Sequence, residues 1–420
     1  MSRLLIDGGH RLNGEIAVHG AKNAVLPLLA ATLLADGESL LHNVPALSDV
    51  DGCLEILQQF GCRIRREGGT VAVSPNGADR PIISDALMRK MRSSIVFLGA
   101  MMARFGEAYL SYPGGCELGP RPIDLHLSAL RQMGAEIIER RGQLRATLPN
   151  GRFRGCTVSL AFPSVGATEN VLLAAVTAEG TTTLLNAARE PEIADLAAYL
   201  SACGADIRID GGTVTVRGVP RLTAAEHTVM PDRIEAATYL AAAAVTEGRV
   251  TVTDLCPAHI ATILPIFSEM GCQLKTSADS VTLEAPPRLK RIPYLRTMPY
   301  PGFPTDAAAP LLTAATLAKG TSVFVESIFE CRYKYVGELI RMGAHVQTEG
   351  RVAVVEGVRS LSGAAVDCTD LRGGAALVVA ALAAEGRTAI GKLEHLDRGY
   401  AALEDGLSAL GARIRRVSES

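Results

Sequence analysis

The sequence of 420 residues contains no tryptophan, and aromatic residues make up only 4% of it. Hydrophobic residues nevertheless account for 48%. A core must therefore be built mainly from Ala, Leu, Val and Ile, and enough of them are present for a large one. A chain of this length is long for one domain and suits two.

The chain also lacks an excess of charge of either sign, since its formal net charge is −2. This argues against a nucleic acid as the main partner, because such partners select strongly basic surfaces. Long apolar runs are missing too. Ala236–Val245 is too short to span a bilayer, and the first residues contain no apolar stretch typical of a signal peptide. We therefore expect a soluble, cytoplasmic protein without membrane insertion.

Paired cysteines are absent, although nine cysteines occur. Their number is odd and none forms a CxxC motif, which argues against a disulfide framework and against a zinc knuckle. Cys62 and Cys272 occupy a position that is Ala in four related segments, so core packing explains them.

The most informative feature is a sixfold repeat of about 70 residues, in which an apolar residue, a Gly and an alternating segment follow one another. The segments are LQQFGCRIRREGG, LRQMGAEIIERRG, LSACGADIRIDGG, FSEMGCQLKTSAD, LIRMGAHVQTEGR and LSALGARIRRVSE. The pattern predicts a helix that ends before a Gly with left-handed backbone conformation. A strand with one solvent-exposed face should follow. The glycines are Gly61, Gly134, Gly204, Gly271, Gly343 and Gly411.

A second series of Ala- and Leu-rich helices, each also followed by Gly, runs in phase with the first. Its glycines are Gly37, Gly106, Gly180, Gly248, Gly320 and Gly386. These helices are apolar on most faces, which predicts that they are buried. We expect two domains of three units each, residues 22–229 and residues 1–21 with 230–420. The opening strands would then complete the last three units. A solenoid scaffold is the alternative, but its repeats are usually shorter.

Cys116 is the best candidate for a reactive group. It lies in YPGGCELGPRPIDL, where Gly and Pro exclude a helix or a central strand and predict a loop. Arg121 follows five residues later, and a nearby cation favours the thiolate. The alternative is a small buried cysteine, which suits the other cysteines better.

Two basic segments could bind anions. Lys22 and Asn23 lie in GAKNAVLP, where a turn meets an apolar helix, and an ammonium at a helix N-terminus is a natural anion site. Arg92 belongs to the cluster MRKMRSS, which by itself is typical of a solvated face.

Carboxylates recur near arginines at the starts of apolar helices, and such pairs are often structural. Asp306, in GFPTDA, differs because no Arg is near it in sequence and Pro304 precedes it in a turn. We therefore expect an unpaired carboxylate on a turn, able to act as a general base.

Taken together, the motifs resemble those of the enolpyruvyl transferase family, and within it the enzymes that act on UDP-N-acetylglucosamine. The resemblance covers almost the whole chain. Its motifs are GAKNAVLP, MRSSIVFLGAMMARFG, PGGCELGPRPIDLH, SVGATENVLLAA, REPEI, PDRIEAATYLAAAA, PYPGFPTD, FECRY, MGAH, TDLRGGAALVVAAL and DRGY.

The resemblance implies an α/β fold of two inside-out barrel domains, each with three repeats around buried helices, and a substrate cleft between the domains. It implies transfer of the enolpyruvyl group of phosphoenolpyruvate to the 3′-hydroxyl of UDP-N-acetylglucosamine, the first committed step of peptidoglycan synthesis and the step inhibited by fosfomycin. No metal or other cofactor is implied. The implied partners are the two small-molecule substrates, with the protein a monomer or a weak homo-oligomer.

The resemblance also implies roles for individual residues. Cys116 would donate the proton to phosphoenolpyruvate and Asp306 would take the proton of the sugar hydroxyl. Phosphoenolpyruvate would be held by Lys22, Asn23, Arg121 and Arg398. The sugar nucleotide would be bound by Arg92, Arg121, Pro122, Ile123, Asp124, Leu125, Ser164, Val165, Gly166, Asp306 and Ile328.

Two positions depart from the family pattern. Phe162 and Pro163 precede SVGA where a Lys is frequent, and Tyr300 stands where His is common. One alternative is the shikimate-pathway transferase, against which the cysteine loop and the Lys-Asn pair argue. Another is a catalytically silent relative that serves as a binding or regulatory protein.

Overall fold

In a computed structural model, which describes residues 2–114 and 123–418, the chain forms two compact α/β units. Residues 2–19 and 231–418 make up unit 1, and residues 20–114 and 123–230 make up unit 2. Among the described residues, no helix combines the length and apolar character needed to cross a membrane.

The described α-helices are α1 (Lys22–Thr32), α2 (Ser48–Phe60), α3 (Asp85–Lys90), α4 (Phe97–Phe105), α5 (Asp124–Gln132), α6 (Val165–Ala175), α7 (Pro191–Ala202), α8 (Arg233–Val245), α9 (Leu264–Glu269), α10 (Thr305–Thr316), α11 (Val336–Arg341), α12 (Leu371–Ala383) and α13 (Leu403–Ala409). Short 3₁₀ helices span Arg92–Val96 and Pro257–Ile260.

The described strands are β1 (Ser2–Asp7), β2 (Asn13–Ala17), β3 (Ala35–Asp36), β4 (Ser39–His42), β5 (Arg63–Glu67), β6 (Thr70–Ser74), β7 (Glu107–Ser111), β8 (Glu136–Arg140), β9 (Gln143–Thr147), β10 (Thr157–Ser159), β11 (Thr181–Leu185), β12 (Asp206–Asp210), β13 (Thr213–Arg217), β14 (Leu222–Thr223), β15 (Glu226–Thr228), β16 (Arg249–Thr253), β17 (Gln273–Thr276), β18 (Val281–Glu284), β19 (Leu295–Arg296), β20 (Thr321–Val325), β21 (His345–Glu349), β22 (Val352–Glu356), β23 (Ala365–Asp367), β24 (Arg387–Gly391) and β25 (Arg413–Ser418).

One strand pattern recurs in the four-stranded sheets: a parallel edge pair is followed by two antiparallel pairs. Unit 2 contains the orders β15-β4-β6-β5 and β10-β11-β13-β12, together with the three-stranded sheet β7-β9-β8. Unit 1 contains β17-β18-β16-β2, β19-β20-β22-β21 and β23-β24-β1-β25. In the last of these, β1 lies between β24 and β25, with Leu4 opposite Ile390 and Ser2 opposite Ser418.

The Ala-rich helices form the centre of each unit. In unit 1, α8, α10 and α12 pack against one another, and every residue of α8 is buried. In unit 2, α4 packs against α1 and α6. Alanine lets these helices approach closely, and enlarging a buried alanine costs about 1–3 kcal/mol. The prediction that the apolar helices are buried is confirmed.

The glycines after the helices take the left-handed backbone that the repeat predicts, with φ of 103° at Gly61 and 99° at Gly411. The second series follows the rule with one exception. At Gly248 the left-handed residue is its neighbour Glu247, with φ of 51°. The prediction for Gly248 is therefore wrong by one position, because the turn after α8 begins one residue earlier.

Candidate active site

A buried ion pair marks the start of α1 in unit 2. Lys22 is the first residue of this helix, and its Nζ lies 2.8 Å from Oδ2 of Asp49. Both side chains are almost inaccessible, with exposed fractions of 11% and 3%. Asp49 lies in the first turn of α2, where the helix dipole favours a carboxylate. The sequence motif indicated Lys22 but not its partner, which is 27 residues away.

The cysteine one turn after Asp49 behaves as a core residue. Cys53 is fully buried, and burial, with the nearby Asp49 carboxylate, raises the pKa of its thiol well above the usual value. Burial likewise raises the pKa of Cys62 to about 11 and that of Cys272 to about 12. The prediction that Cys62 and Cys272 serve packing is confirmed by their burial.

The basic cluster before α4 divides into two kinds of residue. Lys90 reaches solvent and pairs with Glu55 of α2 through contacts of 2.6 and 2.8 Å. Arg92 is half-buried and begins the 3₁₀ helix. Buried Ser94 donates a hydrogen bond of 2.8 Å to the carbonyl of Met91 and so holds the turn at which Arg92 projects. Only part of the cluster is therefore a solvated face.

The starts of α5 and α6 contain most of the remaining predicted nucleotide-binding residues. Ile123 is buried, Asp124 is exposed and Leu125 is half-buried. Ser164 caps α6, since its hydroxyl accepts a hydrogen bond of 3.3 Å from the amide of Ala167.

Val165 and Gly166 form the first turn of α6, where backbone N–H groups are available to an anion. Phe162 lies just before this turn and is 42% exposed. It provides no charge there.

Three of the predicted residues, Cys116, Arg121 and Pro122, lie outside the described residues. The other predicted residues of unit 2 lie on elements that contact one another. The 3₁₀ helix with Arg92 packs against α1 and α6, and α5 packs against α6. Lys22, Arg92 and Ser164 therefore mark the beginnings of neighbouring helices.

In unit 1, Asp306 is the centre of an ion-pair network. Its Oδ1 accepts a hydrogen bond of 3.0 Å from Arg332, and its Oδ2 accepts bonds of 3.2 and 3.1 Å from Nε and Nη2 of Arg372. The prediction of an unpaired carboxylate on a turn is wrong on both points. Asp306 lies in the first turn of α10, and its partners come from 26 and 66 residues along the chain.

A buried glutamate, which the sequence did not indicate, joins the start of α10 to the loop after β20. Glu326 is 2% exposed. Its Oε2 accepts a hydrogen bond of 2.8 Å from Thr305, and its Oε1 accepts bonds of 2.6 and 3.0 Å from the amides of Ile328 and Phe329. The carboxylate thus fixes Ile328, a predicted sugar-nucleotide contact, relative to the residue before Asp306.

Aromatic rings support the arginines of unit 1. The guanidinium of Arg372 lies 5.3 Å from the ring centre of Tyr400, and that of Arg233 lies 5.7 Å from the ring centre of Tyr300. Arg398 is half-buried, two residues before Tyr400. Tyr300, the departure from the family pattern, therefore stacks on an arginine, which a histidine could also do.

Comparison with known proteins gives consistent results. The family model of EPSP synthase (3-phosphoshikimate 1-carboxyvinyltransferase) matches residues 6–407. A Symbiobacterium thermophilum protein named UDP-N-acetylglucosamine 1-carboxyvinyltransferase 1 is 50% identical over 421 residues, covering 99% of this chain and 95% of the relative. A Caldanaerobacter subterraneus subsp. tengcongensis protein named UDP-N-acetylglucosamine 1-carboxyvinyltransferase 2 is 47% identical over 418 residues, covering 99% and 100%.

Among solved structures, the enolpyruvyl transferase NikO from Streptomyces tendae superimposes with a TM-score of 0.89 at 26% identity, over 100% of this chain and 99% of that one. The α/β fold class predicted from the sequence is thereby confirmed. The family match spans far more than half of the chain, and the chain covers nearly the full length of the relatives. The chain therefore belongs to the EPSP synthase family of enolpyruvyl transferases.

Proposed function

We propose that this chain transfers the enolpyruvyl group of phosphoenolpyruvate to the 3′-hydroxyl of UDP-N-acetylglucosamine and releases phosphate, the first committed step of peptidoglycan synthesis. One observation carries the proposal: relatives named UDP-N-acetylglucosamine 1-carboxyvinyltransferase are 46–50% identical to this chain along almost its whole length. The buried lysine and the paired aspartate described above provide groups that this chemistry requires.

The reaction is an addition followed by an elimination. The sugar oxygen attacks C2 of phosphoenolpyruvate while C3 gains a proton, which gives a tetrahedral intermediate. Loss of a proton from C3 and departure of phosphate then restore the double bond in the product. Every step moves a proton or an anion, so the protein must provide an acid, a base and cations.

Lys22 and Asn23, with Arg121 and Arg398, would hold the phosphate and carboxylate of phosphoenolpyruvate. The burial of Lys22 supports this role. A buried ammonium interacts strongly with an anion because little water screens it. Its pairing with Asp49 keeps the charge compensated when no substrate is bound.

Asp306 would accept the proton of the 3′-hydroxyl, and Cys116 would deliver a proton to C3. In unit 1 this carboxylate is contacted by two arginines, Arg332 and Arg372. Arg332 and Arg372 would then orient the carboxylate and stabilise its charged form, as a base requires before it takes up a proton.

The sugar nucleotide would be bound by Arg92, Arg121–Leu125, Ser164–Gly166 and Ile328. The first turn of α6 is suited to the diphosphate, since its backbone N–H groups and the helix dipole attract anions. Because Phe162 brings no cation, these N–H groups would have a larger share in binding the diphosphate than in relatives with a lysine there.

A phosphate-release assay with two acceptors tests the proposal. With phosphoenolpyruvate, we expect phosphate release with UDP-N-acetylglucosamine and none with shikimate 3-phosphate. Release only with shikimate 3-phosphate would assign the chain to the shikimate pathway instead. No release with either acceptor, from protein that unfolds cooperatively, would indicate a silent relative.

We also propose that the enzyme acts in the cytoplasm as a monomer or a weak homo-oligomer. Its substrates are cytoplasmic metabolites, and this chemistry needs no second chain. Sedimentation at several protein concentrations would reveal a stable assembly if one exists.

A further inference from the structure

A buried asparagine joins three elements of unit 2. Asn170 lies in the second turn of α6 and has no accessible surface. Its Oδ1 accepts a hydrogen bond of 2.6 Å from the amide of Gly99, and its Nδ2 donates one of 3.1 Å to the carbonyl of Ile95. A further contact of 2.9 Å joins Nδ2 to Nδ1 of His126. One side chain thus connects α6, the 3₁₀ helix with the start of α4, and α5.

The partners fix the orientation of this amide. The Gly99 amide can only donate and the Ile95 carbonyl can only accept, so exchanging the oxygen and nitrogen of Asn170 would break both bonds. The fit is also close, since a Cβ added at Gly99 would lie 2.4 Å from the backbone oxygen of Asn170. Gly99 is therefore required where α4 meets α6.

The orientation in turn determines the state of His126. Nδ2 of Asn170 is a donor, so Nδ1 of the imidazole must accept. In a neutral ring the proton is then on Nε2. A Cβ added at Gly166 would lie 2.9 Å from Cε1 and 3.3 Å from Nε2 of this ring. The edge with the proton therefore faces the first turn of α6.

The three connected elements are those on which the sugar-nucleotide residues were predicted. Arg92 begins the 3₁₀ helix that ends next to α4, Asp124 begins α5, and Ser164 caps α6. Asn170 lies behind all three starts and is inaccessible to a ligand. Any effect of Asn170 on ligands must therefore pass through these elements.

We propose that Asn170 is a positioning residue for sugar-nucleotide binding, which holds these three helix starts in register and keeps the Nε2 proton of His126 directed at the start of α6. The inference rests on the proposed function, because it concerns the same site.

Steady-state kinetics of two variants test this role. Asn170→Asp keeps the shape but replaces the donor with a carboxylate, and Asn170→Ala removes all hydrogen bonds of the amide, including a contact of 3.4 Å to the Gly166 carbonyl, without adding charge. For both we expect the KM for UDP-N-acetylglucosamine to rise by about tenfold or more, since each leaves buried polar groups unpaired. The KM for phosphoenolpyruvate and kcat should stay within about twofold.

Tyr199→Phe provides the matched control. It removes a buried hydroxyl of unit 2, which donates a hydrogen bond of 2.8 Å to Ser39, at a residue outside the predicted substrate contacts. We expect a loss of stability but unchanged KM values. Equal changes in both KM values, or the same changes in the control, would reduce Asn170 to a packing residue and overturn the proposal.

The ring ¹⁵N chemical shifts of His126 provide a test that does not depend on turnover. In the parent protein we expect an unprotonated Nδ1 and a protonated Nε2. In Asn170→Asp the proton should move to Nδ1, which faces the new carboxylate. A protonated Nδ1 in the parent would refute the proposal. If the shifts are as expected but the parent does not bind UDP-N-acetylglucosamine, then the proposed function has failed, and the proposal about the sugar nucleotide fails with it.

Discussion

The Nζ of Lys22 lies 2.8 Å from the Asp49 carboxylate, and both groups are removed from water at the start of two neighbouring helices. Removing both charges of such a pair from water has a large free-energy cost. Well-packed apolar residues at the same positions often stabilise a protein as much as the ion pair does. We therefore expect this pair to serve binding of phosphoenolpyruvate more than stability.

The first prediction separates these two roles of the Lys22–Asp49 pair. Asp49→Asn leaves the ammonium without its counter-charge, so the free energy of unfolding should fall by about 3–5 kcal/mol. The double variant Lys22→Met, Asp49→Leu should recover most of this stability, measured by urea denaturation, yet have no measurable turnover. A stable double variant with normal turnover would show that Lys22 does not bind substrate.

The second prediction concerns the base. Asp306→Asn keeps one acceptor oxygen for an arginine, places an NH2 donor against the other arginine, and cannot take up a proton, so kcat should fall by about 10²–10⁴. Asp7→Asn is the control, because Asp7 also forms two hydrogen bonds to an arginine, Arg387, but at an exposed position of unit 1. Rates that agree for Asp306→Asn and Asp7→Asn would exclude Asp306 as the base.

The third prediction concerns Cys116, tested with fosfomycin and mass spectrometry. We expect a covalent adduct on Cys116 alone, because Arg121, five residues later in the sequence, would favour its thiolate. Cys331 is an internal control, since it is an exposed thiol in unit 1. An adduct on Cys331, with Cys116 unmodified, would indicate that fosfomycin reacts with any exposed thiol and not with an activated one.

A fourth prediction follows from the proposed donor role of Cys116. Cys116→Ala should abolish turnover at neutral pH, whereas Cys116→Asp should remain active and resist fosfomycin, since a carboxylic acid can also deliver the proton. The measurement is phosphate release with and without preincubation. Turnover by the Ala variant at the parent's rate would remove the need for a proton donor at this position.

The fifth prediction uses the pH dependence of stability. Burial, with the nearby Glu192 and Glu190 carboxylates, raises the pKa of Glu169 from 4.5 to about 8. Between these values the folded protein binds more protons than the unfolded chain, so stability decreases as the pH rises. Glu169→Gln removes this effect. The variant should therefore gain stability over the parent by up to about 1.4 kcal/mol per pH unit in this window.

Urea denaturation at pH 5.5 and pH 8 would measure that gain. Glu179→Gln, a change at an exposed glutamate of the same unit, is the control. Its free energy of unfolding should differ from that of the parent by the same amount at both pH values. A pH-independent difference for Glu169→Gln as well would mean that Glu169 is ionised in the folded protein.

The repeat in the sequence predicted much of the fold because the rules behind it are local. A helix followed by a left-handed Gly and an alternating strand is determined by backbone sterics and by the period of apolar residues. The Ala-rich helices were predicted to be buried for the same reason. Gly248 shows how far this local rule holds, since the left-handed residue there is the preceding Glu247 and not the glycine.

The partners of the site residues could not be predicted, because they depend on which helices become neighbours. Asp306 was assigned no partner on the evidence of nearby sequence, yet Arg372 reaches it from α12. Asp49 and Glu326 were missed for the same reason. Motifs indicated the groups that we propose to meet the substrates, whereas only the packing of α10 on α12, and of α1 on α2, reveals what holds those groups.

The place of β1 between β24 and β25 has a consequence for biosynthesis. The last sheet of unit 1 combines β1 with β24 and β25, so it cannot assemble until β25 has been synthesised, whereas every described strand of unit 2 has been made by residue 228.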